Sequence, residues 1–201
     1  PDGTGLWCEA FAAEHDWLFW IQREGKLGLG SAAWAAMQRA VDDSYDFLIT
    51  LDADWSHPPE ILPALAAAAE KEGADVVIGS RYCAGGDVEG WPKSRRLMSR
   101  VVNSIATRLA RLPARDCSTA CRLYRVECLS RLHFQKLRAT GYAYLEEVLW
   151  HLARNGAKVV EIPITFSQRR AGQSKINVGE AWGKLQVLSR LALAAALGRT
   201  K

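Results

Sequence analysis

Long apolar runs are missing from this sequence. The uninterrupted stretch near its end, residues 191–197, is seven residues long, against about 20 needed to cross a bilayer, so that stretch does not span a membrane. Histidine is scarce and scattered: His15, His57, His133 and His151 form no cluster. Cysteine is odd in number, five, and no signal peptide is recognisable, so reduced thiols in a cytosolic protein are expected. Cys117 and Cys121 lack a second Cys or His pair at zinc spacing, which leaves them as small buried hydrophobes. There is no internal repeat and no low-complexity linker, and 201 residues with 49% hydrophobic content suit one domain with a single good core. The excess of positive charge is only +4, too small to imply nucleic acid, and the aromatics do not interleave with the basic patches as stacking platforms do. It fits phosphate substrates and an anionic membrane surface equally well. An initial Met is also lacking: Pro1-Asp2-Gly3-Thr4 reads as loop, and the chain is expected to be a fragment or a processed piece.

What is present is concentrated in Leu48-Ile49-Thr50-Leu51-Asp52-Ala53-Asp54-Trp55-Ser56-His57-Pro58-Pro59. An apolar strand delivers two carboxylates and breaks at once into a helix start. Asp52 and Asp54 share one face of an extended segment because the strand side-chain period is two. Paired carboxylates at the mouth of a sheet suit a hard divalent cation shared with substrate phosphates. A bare Asp-x-Asp is common by chance and is also read as a solvated strand-end turn. The preceding strand and the Pro-Pro helix start favour a site.

The remaining segments alternate as a parallel sheet requires. Helices are predicted over 6–14, 28–41, 59–72 (ended by Gly73), 94–112, 127–132, 144–154 and 177–197. Strands are predicted over 17–21, 45–51, 75–79, 123–125 and 158–166, the last at an edge or bend because it holds Pro163. Four junctions are candidate phosphate contacts. Lys26-Leu27-Gly28-Leu29-Gly30 enters a helix, as a phosphate cradle or as a tight turn. Arg81 follows a buried strand and is placed on the same sheet edge as Asp54. Arg95 and Ser99 share a helix face at i and i+4, while Arg96 and Arg100 read as basic solvent face. Arg169-Arg170-Ala171-Gly172-Gln173-Ser174-Lys175 is either a loop that closes over phosphate or a flexible basic loop.

Taken in order, Leu-Asp-Ala-Asp-x-Ser-His-Pro-Pro, Gly-Ser-Arg-Tyr, Gly-Gly-x-Val-x-Gly-Trp, Arg-x-x-x-Ser-Arg, Arg-Asp-Cys-Ser, Arg-Leu-Tyr-Arg, Gly-Tyr and Arg-x-x-Gly-x-Ser-Lys resemble the polyprenol-phosphate (dolichol-phosphate) mannosyltransferases of glycosyltransferase family 2. The resemblance implies an α/β GT-A fold: a Rossmann-like sandwich with a mostly parallel sheet, helices on both faces, and the N-terminal strand and part of the first helix missing. It implies transfer of mannose from GDP-mannose to a polyprenyl phosphate with inversion. UDP-glucose as donor, or a catalytically silent fragment, are the alternatives. Asp52 and Asp54 would hold Mg2+ or Mn2+; Lys26, Ser174 and Lys175 would join them in binding donor. Arg81, Arg95, Ser99 and Arg169 would bind the acceptor phosphate, and no general base is expected. Ser56 stands where many relatives carry Gln, which leaves a third metal ligand open.

The resemblance divides the chain into a catalytic domain over 1–176 and a C-terminal amphipathic helix and tail over 177–201. Val178, Ala181, Trp182, Leu185, Leu188, Leu191, Ala192 and Ala195 form one stripe on that helix, with Lys184, Arg190, Arg199 and Lys201 adding charge. Two readings of it stand: packing on the core, or lying on a membrane surface. The expected location is the cytoplasmic face of a membrane, peripherally bound.

Overall fold

The computed structural model describes residues 3–168 and 178–198. In chain order the elements are α1 (Thr4–Glu14), α2 (Leu29–Asp42), β1 (Phe47–Thr50), α3 (Leu62–Glu72) entered by a 3-10 turn over Pro59–Ile61, β2 (Val76–Ser80), β3 (Asp87–Val88), α4 (Lys93–Ala110), β4 (Arg122–Arg125), α5 (Val126–Ser130), a 3-10 turn over Phe134–Lys136, α6 (Tyr144–Arg154), β5 (Val159–Pro163), β6 (Thr165–Phe166) and α7 (Val178–Ala196). Gly73 ends α3 in the left-handed conformation, φ 57°, which a residue without Cβ adopts freely.

The main sheet has the order β1-β4-β2-β5, and β3 pairs with β6 in a separate two-stranded piece. The sheet is mixed, which corrects the expectation of a mostly parallel one. β2 and β5 run parallel, whereas β4 is antiparallel to both β1 and β2. The cause lies in the connection. After β2, the chain passes through β3 and α4 and returns to the same end of the sheet, so that Cys121 O accepts the Gly79 amide at 2.9 Å. β4 therefore starts where β2 finishes. The approach is close: a Cβ on Gly79 would lie 2.5 Å from Cys121 Sγ, so the next-to-last position of this buried strand tolerates no side chain. β5 is an edge strand ending at Pro163, as the missing N–H of proline requires.

The strand expected at 17–21 is not formed. That stretch runs without ladder bonds, and a cavity of about 490 Å³ lined by Leu18, Phe19, Trp20 and Ile21 separates it from Phe47, Leu48 and Ile49 of β1. Apolar side chains wrote a strand signal there, but a strand needs a neighbour within hydrogen-bond reach.

Two cores flank the sheet. One gathers Leu65, Ala69, Val77, Cys121, Leu123 and Ile164 under α3. The larger one lies among α2, α4, α6 and α7, around Met37, Tyr124, Leu149 and Leu152. Leu188, Leu191 and Ala195 of α7 are buried in it. The helix is also held by charge. Lys184 Nζ lies 2.6 Å from Glu146, and Arg190 pairs with Glu147, both carboxylates being fully or almost fully buried. Glu147 additionally accepts the amides of Arg138 and Ala139 at 2.9 and 2.8 Å. Burial opposes the charge on Lys184, but Glu146 outweighs it and its pKa is raised.

His151 of α6 gives a pH dependence that can be measured. Burial lowers its pKa from 6.5 despite the opposing pull of Glu147. The unfolded chain therefore takes up this proton first as pH falls. Its contribution is complete above about 6.5 and is lost as pH drops through the folded value. His151→Gln is expected to flatten the fall in melting temperature between about pH 7 and about pH 5. Parallel curves for variant and wild type would refute that role.

Candidate active site

The ends of β1 and β2 and the beginning of β4 meet on one edge of the sheet, and Thr50 Oγ1 donates to Ala120 O across it at 2.6 Å. β1 stops at Thr50, so Asp52 and Asp54 lie in the turn beyond it and not within the strand. The turn is built by side chains. Asp54 Oδ1 accepts the Ser56 amide at 3.0 Å, and the Asp52 amide donates to His57 Nδ1 at 3.2 Å. Trp55 sits between them with φ 62°. Asp52 keeps 44% of its side chain exposed while His57 keeps 1%.

With Nδ1 acting as acceptor, the His57 proton is on Nε2, which donates to Thr119 Oγ1 at 3.4 Å. Burial lowers the His57 pKa, Asp52 pulling it up and Arg81 pushing it down. The ring is neutral and serves as a clamp between the acidic turn and the loop over residues 116–121.

Arg81 is buried against Asp116. Its Nε and Nη2 donate to the two carboxylate oxygens at 2.7 and 2.8 Å, its amide donates to Asp116 Oδ2 at 3.1 Å, and Nη2 also reaches Ser118 Oγ at 2.7 Å. Burial raises the Asp116 pKa on its own, but Arg81 outweighs it and holds the carboxyl below the usual carboxylate range. The same charge holds Arg81 protonated against its own burial. The guanidinium also lies over Tyr82, whose hydroxyl is 2.7 Å from Ser99 Oγ. Arg95 is exposed and stacks on Trp91 at 4.0 Å.

One aromatic ring connects these groups. Phe166, at the end of β6, has His57 at 5.4 Å, Trp91 at 5.5 Å and the Arg81 guanidinium at 5.5 Å from its centroid. Asp52, Asp54, Arg81, Arg95 and Ser99 are thus brought to one edge. Lys26 is placed differently: it is exposed in the loop before α2, where the glycines serve packing. A Cβ on Gly28 would lie 2.3 Å from Thr140 O, and the Gly30 amide already donates to that carbonyl at 2.7 Å. Arg169, Ser174 and Lys175 lie outside the described residues. Sequence reasoning assigned no role to Tyr82, Trp91, Asp116 or Phe166. Their signal was position, each directly following or closing a short strand or loop beside a cation.

The donor set fits a hard divalent cation. Two carboxylates stand at a solvent-accessible turn, and Ser56 Oγ beside them is buried with no partner among the described residues, a vacancy in hydrogen bonding that a hydrated cation's water would meet. Among the described residues there is no cluster of three or more His, Cys, Asp or Glu.

The chain is 36% identical over 195 residues to an undecaprenyl-phosphate mannosyltransferase of Micrococcus luteus, covering 97% of this chain and 79% of that protein. It is 37% identical over 189 residues to a polyprenol monophosphomannose synthase of Mycolicibacterium smegmatis, covering 92% and 71%. Glucosyl-3-phosphoglycerate synthase from Mycobacterium tuberculosis, solved with Mn2+ and UDP-glucose, superposes with a TM-score of 0.52 at 17% identity; the match covers 90% of this chain and 57% of that one. A second structure of that enzyme, with phosphoglyceric acid, gives 0.56 at 16% identity over 100% of this chain and 66% of that one. These likenesses show a common α/β fold of the GT-A kind with a mixed sheet. The Glycosyl transferase family 2 model matches residues 1–132, and with relatives of this identity over nearly its whole length the chain belongs to glycosyltransferase family 2.

Proposed function

We propose that the chain transfers mannose from GDP-mannose to a polyprenyl phosphate, inverting the anomeric carbon, at the cytoplasmic face of a membrane to which it is peripherally bound. The observation that carries this reading is the identity of 36% and 37% to two proteins named for mannosyl transfer to polyprenyl phosphates. A phosphate monoester has a second pKa of about 6 and is mostly dianionic at neutral pH. Its oxygen attacks C1, the bond from C1 to the diphosphate oxygen breaks, and GDP leaves with that electron pair. The nucleophile arrives charged, so a general base is unnecessary, and His57 is spent as a neutral clamp.

The remaining work is positioning and charge. Asp52 and Asp54 would hold Mg2+ or Mn2+ against the donor diphosphate. Bound there, the cation neutralises charge on the departing diphosphate. Arg95 and Ser99, in the first turns of α4, present a guanidinium and a hydroxyl where the helix dipole also favours an anion. Arg81 has its fork engaged by Asp116 and Ser118; it supports the acceptor phosphate through its charge and by fixing Tyr82 beneath Ser99. Arg169, Ser174 and Lys175 would complete the phosphate contacts, and Lys26 the donor contacts.

The test supplies polyprenyl phosphate and Mg2+ with radiolabelled GDP-mannose or UDP-glucose, followed by extraction of labelled lipid. Label entering lipid from GDP-mannose in preference to UDP-glucose is expected. Preference for UDP-glucose overturns the choice of sugar, and no labelled lipid from either donor overturns the activity.

A further inference from the structure

Helix α4 is apolar on two opposite faces. At 100° per residue, Asn103, Ala106, Thr107 and Ala110 point one way, and all are buried. Leu97, Met98, Val101, Val102, Ile105 and Leu109 point the other way and are 47% to 65% exposed. A surface helix ordinarily turns charge to water on that side. Scattered exposed apolar residues need no explanation, but six on one face form a patch of the kind that marks an interaction surface.

The helix is pinned in this orientation. Asn103 accepts the Cys117 amide at 3.0 Å and donates to the Arg115 carbonyl, so the outer face has no rotation that would bury it. Cations surround the stripe: Lys93, Arg95 and Arg100 at its start, Arg108 and Arg111 at its end, with no acidic residue anywhere in α4. The helix is 18 residues long, about 27 Å, and far too charged to cross a bilayer. No helix among the described residues is long and apolar enough to do so.

From this geometry we propose that the outward face of α4 is a membrane-docking surface that inserts its apolar stripe into the headgroup–acyl boundary of an anionic bilayer. The charge pattern selects the occupant. In a symmetric pair of chains the same cations would face one another with no carboxylate on the helix to offset them. An anionic lipid surface offers apolar depth below and negative headgroups at the level the Arg and Lys side chains reach. The placement of the site agrees, and here the inference rests on the function proposed above. Arg95 and Ser99 stand at the start of the same helix, so a phosphate on a lipid-embedded chain meets them without leaving the interface. α7 divides its apolar residues differently: Leu188, Leu191 and Ala195 are buried in the core, while Trp182, Leu185, Leu193 and Leu197 stay exposed, so α4 adds a membrane contact beside the one the sequence placed on α7.

The test compares the full chain with Val101→Gln/Ile105→Gln/Leu109→Gln, three exposed positions outside the site, with glutamine keeping helix propensity. Flotation is measured with phosphatidylcholine vesicles containing or lacking phosphatidylglycerol, and circular dichroism checks the fold. The wild type is expected to float with the anionic vesicles, and the variant to bind them about tenfold more weakly or less. Turnover of a short-chain, water-soluble prenyl phosphate should be equal in both. Vesicle binding requires no turnover, so failure of the proposed transfer reaction and failure of docking appear in different measurements. Undiminished vesicle binding by the folded variant overturns the proposal. Equal binding to both vesicle types overturns the anionic assignment. Absence of vesicle binding with a dimer in sedimentation equilibrium that the substitutions dissociate gives the face to a second copy instead.

Discussion

Asp54→Asn is expected to lower kcat for mannosyl transfer by about a thousandfold while moving the melting temperature by no more than a few degrees. The size follows from the chemistry assigned to the turn. Charge stabilisation by a divalent cation amounts to several kcal/mol, and each 1.36 kcal/mol is about tenfold in rate. The small effect on stability follows from the position. Asp54 lies past the end of β1, and its Oδ1 accepts one amide, from Ser56, a bond that asparagine reproduces. Metal affinity provides a readout separate from turnover: Mn2+ binding in the presence of GDP should weaken together with kcat. Near-normal turnover by the folded variant would sink the assignment of Asp52 and Asp54. Normal metal binding with lost turnover would leave Asp54 a positioning residue.

How legible this was depends on the range of each contact. Asp52 and Asp54 stood out as candidates because strand, carboxylates and proline break fall within a dozen residues, although β1 ends at Thr50 and leaves both in the turn. Helix boundaries were also local matters: Tyr144–Arg154 matches the expected span, and Gly73 stops α3 as the sequence suggests. The direction of β4 was not legible. Four residues, Arg122 to Arg125, pack equally well either way up, and only the return of the chain to the same sheet end decides it. The segment 17–21 carries apolar residues without a partner in reach. β3 and β6, two residues each, are too short to show any period.

α4 was misleading for a different reason. With apolar residues inside and outside, its sequence reads as a basic helix with mixed filling, and only burial separates the two faces. The charges of α7 behaved similarly. In sequence Lys184 and Arg190 only add charge to the helix, because their partners, Glu146 and Glu147, lie on another helix and are buried. A cation near a buried carboxylate becomes structural, and nothing within α7 itself announces it.

The largest expected loss of stability belongs to a residue that sequence reasoning passed over. Asp116→Asn leaves Arg81 charged and almost fully buried with its counter-ion removed. Breaking such a pair on one side costs about 3–5 kcal/mol, and for a domain of this size that lowers the melting temperature by roughly 10 °C or more. The amides of Arg81 and Ser118 donate to different oxygens of Asp116, so asparagine keeps one of these bonds, and the loss combines hydrogen bonding with charge compensation. Adding Arg81→Met removes the orphaned cation, and the double variant should recover a large share of the lost stability. The pH dependence has a definite sign as well. The folded Asp116 pKa lies below its ordinary value, so the pair's contribution is complete above about pH 4 and is lost as pH falls through the folded value. Asp116→Asn should abolish that part of the acid response. The measurements are thermal melts of the wild type, the single variant and the double variant, repeated in acid. A single variant melting within a degree or two of wild type would show that the pair does not hold this edge of the sheet. A double variant no more stable than the single would mean that lost hydrogen bonding, and not the buried charge, sets the cost. Because Arg81 also fixes Tyr82 under Ser99, the double variant should be the more stable protein and still bind polyprenyl phosphate poorly, separating what this ion pair does for the fold from what it does for the acceptor.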